Sequence, residues 1–253
     1  MKKTYLITGA GTGIGKASAK KLSAQGHRLI LCGRRTHLLE ELNNELAGDD
    51  HICLGLDVSN KEKVKSSFQS INLEELNLAG VFANAGIGGE NEYGESDRWE
   101  EIININLSGV YYTIMESIPS LKKSKEKFKH IMITSSCLAR FGVPYYTAYC
   151  ASKSGLLGLT KALAIELAPF NILVNSITPG WVETEMAKAG IKKLADHTNK
   201  TYDETYREQM GLVPTGKMSD PEEIANFLSF MFSNEQTSIT GQALDINNGA
   251  FMI

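Results

Sequence analysis

The residues best suited to chemistry are Tyr149 and Lys153, four positions apart in Tyr-Cys-Ala-Ser-Lys. On a helix that spacing puts both side chains on one face. A phenol with its ordinary pKa near ~10 is a poor base at neutral pH. A neighbouring ammonium favours the phenolate, so Lys153 is expected to tune Tyr149 downward, and the pair reads as a proton-transfer couple. Thirteen positions before Tyr149 stands Ser136, whose hydroxyl could bond a substrate oxygen and share charge growing on it. Ser135 competes for that role. Successive strand residues point to opposite faces, so one of the two should face the site.

A second constellation lies near the start, in Thr8-Gly-Ala-Gly-Thr-Gly-Ile-Gly15. It follows a short apolar run and precedes a helical pattern. Glycine allows a tight turn and close backbone approach to a pyrophosphate, and the helix N-terminus then offers free N–H groups and the positive dipole end. The spacing departs from GxGxxG; its fixed points are Gly9, Gly13 and Gly15, with Thr12 and Ile14 between them.

These groups need a scaffold, and the chain alternates short β-type runs with helix-length patterns. Strands are expected at Thr4–Thr8, Arg28–Cys32, His51–Leu56, Gly80–Ala83, His130–Ser135, Ile172–Ile177 and Ala243–Ile246. Several are almost continuously apolar, as in strands buried on both faces of a parallel sheet. Helices are expected near Gly13–Gln25, Thr36–Ala47, Lys61–Ser70, Ser96–Ser120, Thr147–Ala168 and Pro221–Phe232. This alternation predicts an α/β, doubly wound, mostly parallel seven-stranded sheet with helices on both faces. No linker, repeat or composition break interrupts it, so residues 1–253 read as one domain. The polar stretch at about 183–219 breaks the rhythm and reads as a mobile lid, with glycines at 190, 211 and 216 as hinges. Its apolar patches are short, so it is expected to bury little surface by itself.

Composition narrows the function. The formal net charge is −3, without the basic footprint of nucleic-acid binding. The densest basic stretch, Leu121 to His130, reads as a solvated helix end. The four cysteines, Cys32, Cys53, Cys137 and Cys150, include no CxxC pair, and no His/Cys/Asp/Glu cluster has ligand spacing, so no metal is expected. Scattered thiols and the lack of a signal-peptide pattern lead to the expectation of a cytoplasmic protein. No apolar run approaches the length of a membrane span.

TGxxxGIG after an N-terminal strand resembles the cofactor loop of the short-chain dehydrogenase/reductase family, and further motifs follow in order. These are Leu56-Asp57-Val58, Asn84-Ala85-Gly86, Asn104-Ile-Asn106, Ser136, Tyr149, Lys153, Pro179-Gly180, Thr184 and Thr240-Gly241. The resemblance implies a Rossmann-like fold and a dinucleotide held by Gly9, Thr12, Gly13, Ile14, Gly15, Asp57, Val58, Asn84, Ala85, Gly86, Tyr149, Lys153, Pro179, Gly180, Val182 and Thr184. It selects Ser136 over Ser135. It makes Asn106 a fourth catalytic residue that kinks its helix and holds a proton-relaying water. It also implies a homotetramer paired through the 96–120 and 147–168 helices.

The second strand ends Cys32-Gly33-Arg34-Arg35. An acidic residue there would bind a ribose 2′-hydroxyl; by the resemblance Gly33 takes its place, and Arg34 can grip a 2′-phosphate. NADP(H) is therefore favoured, with NAD(H) as the alternative. The expected reaction is hydride transfer between the nicotinamide and a small-molecule carbonyl or secondary alcohol. Two other readings stay open: a 3-oxoacyl-[acyl-carrier-protein] reductase, and a non-catalytic dinucleotide sensor. The first is weakened by Phe170, which stands where such enzymes often carry a basic residue, with Lys127 and Lys129 as partial substitutes. The second is weakened because both Tyr149 and Lys153 are kept.

Overall fold

The computed structural model describes residues 2–252. Its seven strands are β1 (Thr4–Thr8), β2 (Arg28–Gly33), β3 (Ile52–Gly55), β4 (Leu78–Ala83), β5 (Lys129–Thr134), β6 (Ile172–Pro179) and β7 (Ala243–Ile246). They form one sheet in the order β3-β2-β1-β4-β5-β6-β7, and every pairing is parallel. The order reverses between β1 and β4. In open α/β sheets the crevice beyond the strand C-termini at such a switch point is where ligands bind.

Alternation along the strands makes two cores. Leu6, Ile30, Val81, Ile131 and Val174 face one side; Tyr5, Ile7, Leu29, Leu31, Phe82 and Met132 face the other. The second side is covered by α1 (Gly13–Ala24), α2 (Thr36–Glu45) and α9 (Pro221–Met231), through Leu22, Leu39, Leu42, Ile224 and Leu228. The first is covered by α3 (Lys61–Ser70), α5 (Gly109–Lys123) and α6 (Thr147–Leu167), through Val64, Phe68, Val110, Ile114, Leu156 and Leu163. Continuous burial explains why these strands read as apolar runs.

The helix expected at Ser96–Ser120 runs as α4 (Trp99–Ile103), a π-helical turn at Asn104–Ser108 where the kink at Asn106 was expected, then α5. The inserted turn re-aims Asn106, whose side chain is fully buried. One expectation, that the 183–219 segment buries little by itself, is corrected. The 183–219 segment folds into α7 (Glu185–Thr198) and α8 (Tyr202–Gly211), and these have a small core of their own in Ala187, Ile191, Met210, Val213 and Met218, with Trp181 and Tyr206 against it. Glu183 N–H donates to Ser219 O at 2.9 Å and Ser219 N–H to Trp181 O at 2.9 Å, clasping the two ends of the segment together. Gly190 lies inside α7 against the Trp181 ring, where helical hydrogen bonds leave no hinge; Gly216 is the one of the three glycines with positive φ, +71°.

Candidate active site

The glycine loop turns from β1 into α1 with its backbone bare. Gly9 and Gly13 have φ of +67° and +52°, in the left-handed region that other residues avoid. A Cβ on Gly15 would collide with the Gly9 carbonyl, and one on Gly13 would sit 2.9 Å from Thr184 Cγ2. Thr12 is the N-cap of α1 and makes no side-chain cap. The first N–H groups of that helix therefore have no partner within it and face the crevice beyond β1. A pyrophosphate fits such a cradle by charge and by the absence of side chains.

Across the switch point, Thr8 Oγ1 accepts from the N–H groups of Asn84 and Ala85, both at 3.0 Å. The Asn84 amide donates to Thr8 O at 3.2 Å, and its Oδ1 accepts from Thr134 Oγ1 at 3.0 Å. One side chain thus ties the ends of β1, β4 and β5 together. Gly86 follows because a Cβ there would lie 3.1 Å from Asn106 Oδ1 and 3.5 Å from Lys153 Nζ. Asn106 reads both backbone groups of Ile87: Oδ1 accepts from its N–H and Nδ2 donates to its carbonyl, each at 2.8 Å.

The two serines separate as alternation requires. Ser135 Oγ donates to the Lys153 carbonyl at 2.8 Å and fastens β5 to α6. Ser136 turns the other way, with its hydroxyl near enough to the Tyr149 phenol to favour the ionised form. It also caps a short 3₁₀ turn, Cys137–Ala139, by accepting from Leu138 N–H at 3.2 Å. Lys153 lies one turn along α6 from Tyr149, with Nζ 5.6 Å from the ring centroid. The amine donates to Thr134 O at 2.8 Å.

The expected tuning of Tyr149 by Lys153 is corrected here. Burial pushes the phenol up to about 12, against a smaller downward pull from the nearby Ser136 hydroxyl. Burial also pushes Lys153 down to about 8. The ammonium is directed at a carbonyl rather than at the phenol oxygen, so desolvation prevails over charge stabilisation.

The other predicted positions fall around this centre. Gly33 ends β2 with exposed Arg34 after it. Asp57 is held by Ser59 through its N–H at 3.0 Å and its hydroxyl at 2.7 Å. Burial raises the Asp57 carboxyl, but those two bonds and the charges of Arg34 and Lys63 bring it below its ordinary value. The Val58 side chain is in the core, leaving its backbone as the part that could meet a ligand. Pro179 ends β6. Gly180 N–H donates to Ile246 O at 3.2 Å, and a Cβ on Gly180 would lie 3.1 Å from Asn247. Val182 forms an isolated parallel bridge with Ser219, and Thr184 caps α7 by accepting from Ala187 N–H at 3.3 Å. Thr8, Thr134 and Asn91 were not singled out from sequence; each acts through a partner 50 or more residues away along the chain. Among the described residues no group of three or more His, Cys, Asp or Glu is placed to hold a metal, and no helix is long and apolar enough to cross a membrane.

Comparisons with known proteins agree with this geometry. Residues 9–250 match the family model described as Enoyl-(Acyl carrier protein) reductase. The chain is 32% identical over 255 residues to a 3-oxoacyl-[acyl-carrier-protein] reductase of Aquifex aeolicus, covering 98% of this chain and 97% of the relative. It is 33% identical to nodulation protein G of a Rhizobium species over 252 residues, 98% and 96% of the two chains. Among solved structures, a Brucella melitensis 3-ketoacyl-(acyl-carrier-protein) reductase complexed with NADH superposes with a TM-score of 0.84 at 28% identity, covering 98% of each chain. An actinorhodin polyketide ketoreductase with NADPH gives 0.88 at 28%, covering 98% of this chain and 97% of that one. The chain belongs to the short-chain dehydrogenase/reductase family. It is an oxidoreductase of that class, similar throughout its length to ketoacyl reductases.

Proposed function

We propose that this protein is an NADP(H)-dependent carbonyl reductase or alcohol dehydrogenase with Tyr149 as its acid/base group and Asn106, Ser136 and Lys153 beside it. The observation that carries the reading is the convergence of the Ser136 hydroxyl on the Tyr149 phenol, with the Lys153 amine one helical turn away and beside Asn106 at the Gly86 turn. The nicotinamide, when bound, supplies or takes up the hydride. The chain's own groups handle the oxygen. In reduction the Tyr149 hydroxyl gives its proton to the forming alkoxide while the Ser136 hydroxyl hydrogen-bonds the same atom. A phenol that stays protonated up to about 12 suits a proton donor at neutral pH. Lys153, Thr184 and the Val182 backbone would hold the nicotinamide end, and Asp57, Val58 and the 84–86 turn the adenosine side. Arg34 is free to meet a 2′-phosphate because Gly33 places no carboxylate beside it, which favours NADP(H) over NAD(H).

The test is consumption of NADPH and of NADH, followed by absorbance, across a panel of ketones, keto esters and 3-oxoacyl thioesters. Turnover faster with NADPH supports the proposal; preference for NADH overturns the Arg34 assignment. Acyl-carrier-protein ketoreduction is the second reading, favoured by the names of the similar proteins. Lys129 is buried and donates to Phe170 O at 2.7 Å, so it cannot meet an acidic carrier; Lys122, exposed with its amine 3.9 Å over the Phe170 ring, can.

The proposal extends to assembly and motion. Tyr111 on α5 and Ile165 on α6 are exposed at 44% and 79%, apolar surface that helix pairing in a homotetramer would cover. Light scattering at micromolar concentration should give four copies, and a monomer would refute it. The single domain would close its 183–219 segment over substrate as one clasped unit. Hydrogen exchange in α7 and α8 should slow when cofactor and substrate analogue bind together.

A further inference from the structure

The helix that carries Tyr149 and Lys153 has no cap of its own. Its N-cap position is Tyr146, whose side chain makes no capping hydrogen bond. The cap comes from Asn91, in the loop after β4. Asn91 Oδ1 accepts from the Ala148 N–H at 2.9 Å and from Thr147 Oγ1 at 2.9 Å. The orientation of this amide is fixed by chemistry: a backbone N–H needs an acceptor, so the oxygen faces the helix. Asn91 also donates its own N–H to the Tyr145 carbonyl at 2.8 Å. Tyr145 has φ of +65°, a conformation a bulky residue adopts only when its surroundings hold it there. On its other side Asn91 Nδ2 reaches Asp97 Oδ1 at 3.4 Å, and that oxygen accepts from Trp99 N–H at 2.9 Å at the start of α4. One nearly buried side chain therefore joins the N-termini of α4 and α6 and holds the strained Tyr145 turn that leads into the reactive helix.

We infer that Asn91 is a positioning residue for the reaction: its cap on the Thr147–Ala148 turn sets where the Tyr149 hydroxyl stands relative to Ser136. The reason is geometric. Ala148 immediately precedes Tyr149, so a shift in the first turn of α6 moves the phenol directly. Ser136 is held separately, at the end of β5. The loop that carries Asn91 is anchored at two earlier points, Asn84 and Ile87, by bonds to Thr8 and Asn106. The cap thus refers the reactive helix to the same loop that lines the dinucleotide crevice. The inference rests on the proposed acid/base role of Tyr149.

The test compares Asn91→Leu, which keeps the volume and removes the acceptor, with the double variant Asn91→Asp, Asp97→Asn, which keeps the acceptor at a helix N-terminus and avoids setting two carboxylates against each other where Asn91 Nδ2 meets Asp97 Oδ1. Purified variants are assayed with NADPH and the best carbonyl of the panel, with Tyr149→Phe in parallel. Asn91→Leu should lower kcat by about tenfold to a hundredfold, as small misplacements of reacting groups do, with KM for NADPH unchanged. The double variant should keep most of the wild-type kcat. Should Asn91→Leu fail to fold, Asn91→Ser, too short to span to Ala148, should show the same kcat loss. A folded Asn91→Leu or Asn91→Ser with wild-type kcat, or a double variant as impaired as Asn91→Leu, would overturn the inference. Activity retained in Tyr149→Phe would instead overturn the reading of the site beneath it.

Discussion

Both ends of the sheet bury titratable groups, and the two ends use burial differently. Where the strands begin, Tyr5 stacks on Phe232 at 4.9 Å between centroids, with His27 edge-on at 5.2 Å and His130 tilted at 6.0 Å from Phe232. Burial, then the charge of Glu126, raises the Tyr5 phenol far above its ordinary value, and its hydroxyl donates to Phe232 O at 3.2 Å. Burial, then the charge of Lys3, pushes His130 down to about 4, and its Nε2 has no hydrogen-bond partner among the described residues. Where the strands end, burial likewise raises Tyr149 and lowers Lys153. A perturbed pKa therefore does not by itself mark the reactive end. What differs is company. Tyr5 is enclosed by aromatic rings and a carbonyl, whereas Tyr149, edge-on to the Tyr146 ring, has the Ser136 hydroxyl and the Lys153 amine as neighbours.

The sharpest test of that contrast is a pair of identical substitutions. Tyr149→Phe should lower kcat by a factor of roughly 10² to 10⁴ with the Kd for NADPH little changed. Tyr5→Phe should leave kcat intact and cost about 1 kcal/mol of stability through the lost bond to Phe232 O. Retention of a tenth or more of kcat in Tyr149→Phe would erase the distinction.

His130 predicts how the opposite end responds to acid. Its folded pKa, about 4, lies below the ordinary 6.5, so the unfolded chain binds more protons between those values. Stability should be full above about pH 6.5 and fall by roughly 3 kcal/mol as pH drops to about 4. Urea melts of wild type and His130→Leu across that range check it; the variant should lose this part of the acid sensitivity while kcat at neutral pH stays unchanged.

At the reactive end, Arg34→Asp should shift cofactor preference from NADPH toward NADH by about tenfold to a hundredfold, the scale of one charge-assisted contact. The ratio of kcat/KM for the two cofactors reads it directly. The smallest effect expected concerns Lys153. Its folded pKa, about 8, lies below the ordinary 10.5, so holding it charged at neutral pH costs stability. Lys153→Met should therefore be more stable than wild type at pH 7 by on the order of 1 kcal/mol, after the lost bond to Thr134 O, while being inactive. The stability gap should close as pH rises through 8 toward 10.5, since the wild-type lysine then folds neutral. A variant less stable than wild type at pH 7 would mean the bond to Thr134 outweighs the burial of charge.

Much of the scaffold was legible because its signals are local. Short β-type runs between helix-length patterns located all seven strands, with no end displaced by more than two residues. Glycine spacing located the cradle, since only residues without a Cβ can pass so close to the next turn. Tyr149 and Lys153 could be paired because four residues is one helical turn, whatever the rest of the chain does.

Other features depend on distant partners. Ser135 and Ser136 are alike in sequence; the register of β5 against α6 sent one to the Lys153 carbonyl and the other to Tyr149. The π turn at Asn106 follows from bonds to Ile87, nineteen residues away, and the cap on α6 from Asn91, 57 residues before Ala148. The downward tuning of Tyr149 was expected from spacing, which carries charge proximity but not the desolvation that raises the phenol. Residue types and local periods determined which groups could react and which elements would carry them. Only the tertiary structure decided which partner each polar group found and how much water it lost, because both quantities are set by chain segments brought together from far apart.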